Sequence, residues 1–212
     1  MYIKPAYAED QLATLHAHMR EWSFAMLVSS TRGAVGITHL PFLLDTTRGE
    51  HGTLTTHLAR ANPHFEQLRE AKDVRVVFSG PHAFVSPSWY EDQHTFPTWN
   101  YAAIHASGRL RLIEEPEAVR DILTRTVAHY DTPLGGAWSF PGMPEDTILP
   151  RLKAIAGVEI ELTRIEGKFK LNQDRSAADR HGVIAALETQ GRCDTQALAA
   201  LMRAREEGPS TS

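Results

Sequence analysis

The segment 84–108, "FVSPSWYEDQHTFPTWNYAAIHASG", places flat rings and hydrogen-bonding side chains beside a turn, with two of the four tryptophans and two of the five tyrosines. Apolar faces with amide and hydroxyl groups at their edges suit a fused heteroaromatic ligand. The candidate residues are Ser86, Ser88, Trp89, Tyr90, Thr98, Trp99, Asn100 and Tyr101. The alternative is a buried aromatic cluster in which Asn100 caps a turn. Taken alone, the composition favours that alternative.

A second candidate is "TTHLARANPHF", residues 55–65. A Thr-rich strand leads through His57 and Leu58 to Arg60, and Asn62 then precedes a predicted helix that begins at Pro63. Backbone N–H groups at a helix start attract phosphate, and an arginine would add paired hydrogen bonds. The alternative is an ordinary helix cap followed by a surface arginine, which the spacing alone favours.

Two lysines form the third candidate. Lys168 and Lys170 lie two residues apart on a predicted strand, so their side chains leave the same face. A basic pair of this kind can bind an anion. The alternative is a solvated strand face, which is the commoner outcome.

The sequence contains no motif that is typical of a metal site or of a catalytic nucleophile. The 11 histidines show no HExxH spacing, no GxSxG is present, and Cys193 is the only cysteine. We therefore predict no metal site and no intrachain disulfide. A haem-ligating histidine stays open at this point.

Composition limits the class of protein. The 212 residues are 42% hydrophobic, enough for one substantial core, and the net charge of −4 argues against a surface dominated by phosphate-backbone contacts. The N-terminus lacks the apolar run of a signal peptide, and no run approaches the roughly 20 residues of a membrane span. We expect a soluble, cytoplasmic protein that does not enter the membrane.

The pattern of elements predicts an α+β protein in which an antiparallel β-barrel is decorated by helices. About seven strands have hairpin-like connections, and no strand is followed by GxGxxG. Two strands are predicted at 73–80 and 82–87 around Gly80-Pro81. A short helix is expected to close at Gly157, and the strand 158–171 is expected to turn near Glu166-Gly167.

Four of these segments together resemble the PaiB family of FMN-binding proteins, which are described as negative transcriptional regulators. The segments are "HLARANPHF", "FSGPHAFVSPSWY", "PTWNYAAIHASG" and "KFKLNQ", and the resemblance extends from Met1 to about Gln173. It implies a split β-barrel like that of pyridoxine-phosphate oxidase, with FMN at a homodimer interface.

The resemblance also implies roles for single residues. "THLARAN" occupies a place similar to the phosphate-binding T-N-x-x-S-R-K pattern of the oxidases, with Arg60 near its serine and Asn62 near its lysine, although the S-R-K triplet is absent. Asn100 becomes the candidate for the isoalloxazine edge. Lys168 and Lys170 fall near a basic motif of the family.

These inferences predict an FMN-binding domain at 1–173, a helical hairpin at 174–205 packed on it, and a disordered tail at 206–212. The expected function is an FMN-binding negative regulator of transcription. A flavin-dependent oxidoreductase acting on a small molecule is the alternative, and a haem-binding split barrel is a third. The terminal hairpin is the one segment resembling a DNA-binding helix-turn-helix, but acidic residues interrupt its arginines.

Overall fold

The computed structural model describes residues 1–136, 138 and 143–207. It contains an antiparallel sheet of eight strands and six α-helices. The strands are β1 (Ala8–Glu9), β2 (Phe24–Thr31), β3 (Ala34–Pro41), β4 (Leu43–Asp45), β5 (Thr53–Ala59), β6 (Asp73–Val85), β7 (Thr98–Ile113) and β8 (Ile155–Lys170). The helices are α1 (Leu12–Glu21), α2 (Pro63–Glu70), α3 (Pro116–Tyr130), α4 (Glu145–Lys153), α5 (Ala177–Thr189) and α6 (Cys193–Glu206).

The order of strands in the sheet is β3-β2-β6-β7-β8-β5-β4, and β1 pairs with β8. The chain divides into two compact units. The terminal unit comprises residues 1–11, 79–104 and those from 166 onwards, and the central unit comprises 12–78 and 105–165. Of the predicted tail, residues 208–212 lie outside the described part, and the predicted boundary at 173 stays a prediction.

In the central unit, β2 and β3 form a hairpin closed by Arg32 and Gly33, which both have positive φ. Such a two-residue turn matches the twist of the strands that it joins. Leu27 and Phe78 are fully buried, and the Phe78 ring packs edge-on against Phe42 at 6.2 Å. Alternation of buried and exposed residues along β2 therefore gives this hairpin one core face and one outer face.

In the terminal unit, β1 pairs with the end of β8, with Ala8 opposite Lys168 and Glu9 opposite Gly167. Helix α5 begins at a Ser176 cap whose hydroxyl accepts from the Asp179 N–H. A Cβ at Gly182 would lie 2.2 Å from the Trp89 carbonyl oxygen, so glycine is what lets α5 approach this close.

Three predicted boundaries are wrong. The strands at 73–80 and 82–87 are one strand, β6; β2 pairs with it at Arg75–Val77, so Pro81 falls beyond that ladder and costs it no hydrogen bond. No turn interrupts β8 near Gly167, because pairing with β1 continues its ladder there.

The third wrong boundary concerns Gly157. The helix α4 ends at Lys153, and Gly157 lies inside β8. A Cβ at Gly157 would stand 2.4 Å from Ile122 Cδ1 of α3, so this glycine permits close packing of α3 on the strand. Among the described helices, none has the length and apolar character that crossing a membrane requires.

Candidate functional site

The fourteen predicted site residues divide between the two units. His57, Leu58, Arg60 and Asn62 belong to the central unit, and the other ten belong to the terminal unit.

Strand β7 of the terminal unit sorts its side chains onto two faces. Trp99, Tyr101 and Ala103 are exposed or half-buried, whereas Asn100 and Ala102 between them are buried. Trp99 is 54% exposed, which is unusual for so large an apolar group. The outer face of β7 therefore presents aromatic rings to solvent.

An open cavity of about 320 Å³ lies over this outer face. Its lining includes Ser79, Gly80, His82, Trp99, Tyr101 and Ala103. The His82 and Trp99 rings lie 6.0 Å apart. Flat rings with an imidazole and a hydroxyl at the rim match the chemistry expected for a fused heteroaromatic ligand.

Two lysines stand beside these rings. Lys168 Nζ lies 5.1 Å from the centre of the Tyr101 ring and 5.6 Å from that of Tyr2. Lys170 Nζ donates to the Trp99 carbonyl oxygen at 2.7 Å and to the Thr98 hydroxyl. Both ammonium groups are thus held at one edge of the aromatic surface.

Neither lysine has a carboxylate within ion-pair distance among the residues described. Burial lowers the pKa of the Lys170 ammonium, and Asp174, whose carboxylate accepts the Tyr7 hydroxyl at 2.7 Å, acts in the opposite direction. A partly buried cation without an ion-paired carboxylate is costly, and an anionic ligand in direct contact would relieve that cost.

Asn100 lies on the opposite face of β7 from Trp99. It is fully buried, and its Nδ2 donates to the Met202 sulfur at 3.6 Å. Its Oδ1 has no hydrogen-bond partner within the described ranges. The structure thus directs this side chain toward α6 rather than into the cavity, and its assignment to the isoalloxazine edge stays a prediction.

The hydroxyl groups that follow β6 already have hydrogen-bond partners within the terminal unit. Ser86 and Ser88 join their hydroxyls at 2.7 Å and open a 3-10 helix at Pro87–Trp89. The buried Tyr90 hydroxyl accepts from Asn172 Nδ2 at 2.9 Å. These hydrogen bonds fix the conformation of the segment that follows β6.

In the central unit, Asn62 caps α2 as the sequence predicts. Its Oδ1 accepts from the His64 N–H at 2.9 Å, and its Nδ2 donates to the Thr38 hydroxyl at 3.2 Å. Leu58 is a core residue. His57 is half-buried, burial lowers its pKa, and its Nδ1 has no partner in the described part of the chain.

Arg60 is already committed to protein partners. Its Nε donates to the Ile155 carbonyl oxygen at 3.1 Å, and its guanidinium forms an ion pair with Glu114. The hydrogen bond from Arg60 lowers the pKa of the Glu114 carboxyl, which also accepts from Arg69 at 2.8 Å. A phosphate at Arg60 would have to compete with this carboxylate.

The predicted site residues did not include Ser79, Gly80 or His82, which line the cavity, although all three lie in the segment "FSGPHAFVSPSWY" that carries the resemblance. Period-two alternation in "TWNYAA" was the available signal, because it separates Trp99 and Tyr101 from Asn100. The contribution of β6 had no such signal, since it depends on the pairing of strands distant in sequence.

Comparison with solved structures supports the fold. The flavocytochrome Anf3 of Azotobacter vinelandii superimposes with a TM-score of 0.58 at 16% identity, over 79% of this chain and 72% of that one. The FAD and heme binding protein of Mycobacterium smegmatis gives 0.57 at 15% identity, over 85% and 80%. At these identities the likeness concerns the fold alone, and the predicted split β-barrel with helices is confirmed.

Comparison of sequences goes further. A family described as "Putative FMN-binding domain" matches residues 1–164. The chain is 31% identical over 205 residues to the "Protease synthase and sporulation protein PAI 2" of Bacillus subtilis (strain 168), covering 95% of this chain and 96% of that protein. The chain therefore belongs to the PaiB-type family of FMN-binding domains.

Proposed function

We propose that the protein binds FMN on the outer face of β7, in a homodimer. One observation carries the proposal: Lys168 and Lys170 lie without carboxylate partners beside the Trp99 and Tyr101 rings. Stacking on the aromatic rings would hold the isoalloxazine, and the ammonium groups would take the phosphate dianion. FMN would supply the redox chemistry of its ring.

The phosphate has two candidate positions in the chain, and the structure gives them different chemistry. Arg60 forms an ion pair with Glu114, whereas neither lysine has a described carboxylate within ion-pair distance, and Asp174 acts on Lys170 only from farther away. Binding at Arg60 would break an existing ion pair, and binding at the lysines would form a new one. This difference favours the lysines over the assignment made from the PaiB resemblance.

The homodimer is proposed from exposed apolar side chains. Phe24, Val35 and Ile37 are 68%, 63% and 58% exposed, and they lie on the outer face of the β2–β3 hairpin. In the register of the hairpin, Ile37 stands opposite Val28, which extends the apolar surface. Contiguous apolar surface of this kind is usually covered, and a second copy is the occupant that the PaiB resemblance implies.

Any effect on transcription is proposed to be indirect. Three arginines of the terminal hairpin are paired with carboxylates: Arg180 with Glu206 at 2.5 Å, Arg203 with Glu188 at 2.7 Å and Arg205 with Glu9 at 2.7 Å. Arginines neutralised in this way offer little charge to a phosphate backbone. This observation favours the flavin-dependent oxidoreductase alternative over a repressor that binds DNA itself.

The test begins with the purified protein. We expect a flavin absorption spectrum, release of FMN on denaturation, and a dimer by light scattering at micromolar concentration. A haem Soret band would move the function to the haem-binding alternative. A monomer that binds neither FMN nor riboflavin would contradict both the site and the dimer.

A further inference from the structure

A second cavity of the terminal unit, of about 280 Å³, lies where β6 and β7 meet the turn between α5 and α6. Its walls include His82, Phe84, Trp89 and Trp99, and Arg192 and Asp194 lie at the turn. The Phe84 and Trp99 rings meet edge-to-face at 6.3 Å. The cavity thus combines aromatic walls with one charge of each sign.

Arg192 differs from its neighbours in the terminal hairpin. Arg180, Arg203 and Arg205 are paired with carboxylates, but Arg192 has no ion pair and no side-chain hydrogen bond within the residues described. An exposed arginine beside aromatic walls, without a described protein partner for its side chain, is suited to bind a carboxylate through two parallel hydrogen bonds.

We propose that this cavity binds a small aromatic carboxylate. The ring would pack against Phe84, Trp89 and Trp99, and the carboxylate would accept from Arg192. The volume is just below the usual range for drug-sized ligands, which restricts the ligand to one or two rings. Asp194 adds a possible partner for a ligand amine, so arene carboxylates and aromatic amino acids share the required chemistry.

The proposal does not depend on flavin binding, because the charged groups at the turn are absent from the lining of the β7 cavity. His82 and Trp99 do line both cavities. A ligand held here would therefore contact the same indole that is proposed to stack on the flavin.

The test is calorimetric titration of the full-length protein with three probes: indole-3-acetate, L-tryptophan and indole. We expect indole-3-acetate or L-tryptophan to bind more tightly than indole, which lacks the carboxylate. Tighter binding of indole-3-acetate would assign a plain arene carboxylate, and tighter binding of L-tryptophan would assign an aromatic amino acid.

Arg192→Gln should weaken the carboxylate probes about tenfold and leave indole unchanged, since a charge-assisted hydrogen bond is lost. Arg203→Gln, in the helix α6 that Arg192 precedes, is the matched control, and it should change neither. Phe84→Ala should weaken all three probes. The proposal is overturned if no probe binds at millimolar concentration, or if Arg192→Gln and Arg203→Gln have equal effects while both variants retain the helical circular dichroism of the parent.

Discussion

Two clusters in this molecule place cations beside aromatic rings. In the central unit, the guanidinium carbons of Arg60 and Arg69 lie 5.4 and 4.7 Å from the centre of the Phe65 ring, and both arginines reach Glu114. The cluster contains its own anion. Arg60 lies just before α2, where a sequence pattern suggested a phosphate site, but the charges of the cluster are already balanced.

The terminal unit repeats the combination without an ion-paired carboxylate. Lys168 lies 5.1 Å from the Tyr101 ring centre, and Lys170 is bonded to the Trp99 backbone. No described carboxylate pairs with either lysine. This difference between the two clusters shows that a cation beside an aromatic ring is weak evidence for an anion site until its carboxylate partners are known.

The largest expected effect on flavin affinity comes from removing the Trp99 ring. Trp99→Leu should weaken FMN and riboflavin alike by roughly ten- to a hundredfold, because stacking on an aromatic side chain contributes about 1–3 kcal/mol. Fluorescence titration of both flavins measures the change. Phe96→Leu, at another exposed aromatic residue of the terminal unit, is the control and should have no effect. Unchanged flavin affinity in Trp99→Leu would remove the outer face of β7 from the site.

The lysines should show a smaller effect that is specific to the phosphate. Lys168→Gln and Lys170→Gln should each weaken FMN about tenfold and leave riboflavin unchanged, since riboflavin lacks the dianion. Lys153→Gln, at an exposed position in α4, is the matched control. Equal losses for FMN and riboflavin would indicate that the lysines act only through the structure.

Arg60→Gln should act on stability rather than on the ligand. It removes the partner of Glu114 and the donor to the Ile155 carbonyl oxygen, which together should lower the free energy of unfolding by about 1 kcal/mol. Urea denaturation measures this loss. A selective loss of FMN over riboflavin in this variant would instead restore Arg60 as the phosphate ligand.

The smallest effect concerns pH. His64 is buried between the Ser29 and Thr38 hydroxyls at 2.8 Å each, and burial lowers its pKa from 6.5. Well above pH 6.5 the His64 imidazole is neutral in both the folded and the unfolded state. As the pH is lowered, the unfolded chain takes up the proton more readily than the folded protein does, so the free energy of unfolding decreases. The free energy of unfolding should therefore drop between pH 7.5 and 5.5, and the drop should be smaller in His64→Gln. An equal drop in this variant would assign the pH dependence to other groups.

Features that depend on neighbouring residues were predictable from the sequence. The start of α2 at Pro63 and the Asn62 cap follow from local signals, and both are present. The continuity of β6 and β8 was not predictable, because a glycine and a proline suggest turns that pairing with other strands overrides.

The same distinction between local and distant signals applies to the candidate site. The aromatic residues and the lysine pair could be selected by type, but the partners of each cation could not. Glu114 lies 54 residues from Arg60 in the chain, and only the fold brings the two together. Strand alternation separates Asn100 from Trp99 and Tyr101, although the prediction placed all three at the ligand, and the packing of Asn100 on Met202 had no local signal.

The most direct measurement is a crystal structure of the FMN complex. We expect the isoalloxazine to contact the Trp99 or Tyr101 ring and a phosphate oxygen to lie within hydrogen-bond distance of Lys168 or Lys170 Nζ, with the Arg60–Glu114 ion pair intact. A phosphate bound to Arg60 with Glu114 displaced, and both lysines free of the ligand, would contradict the assignment.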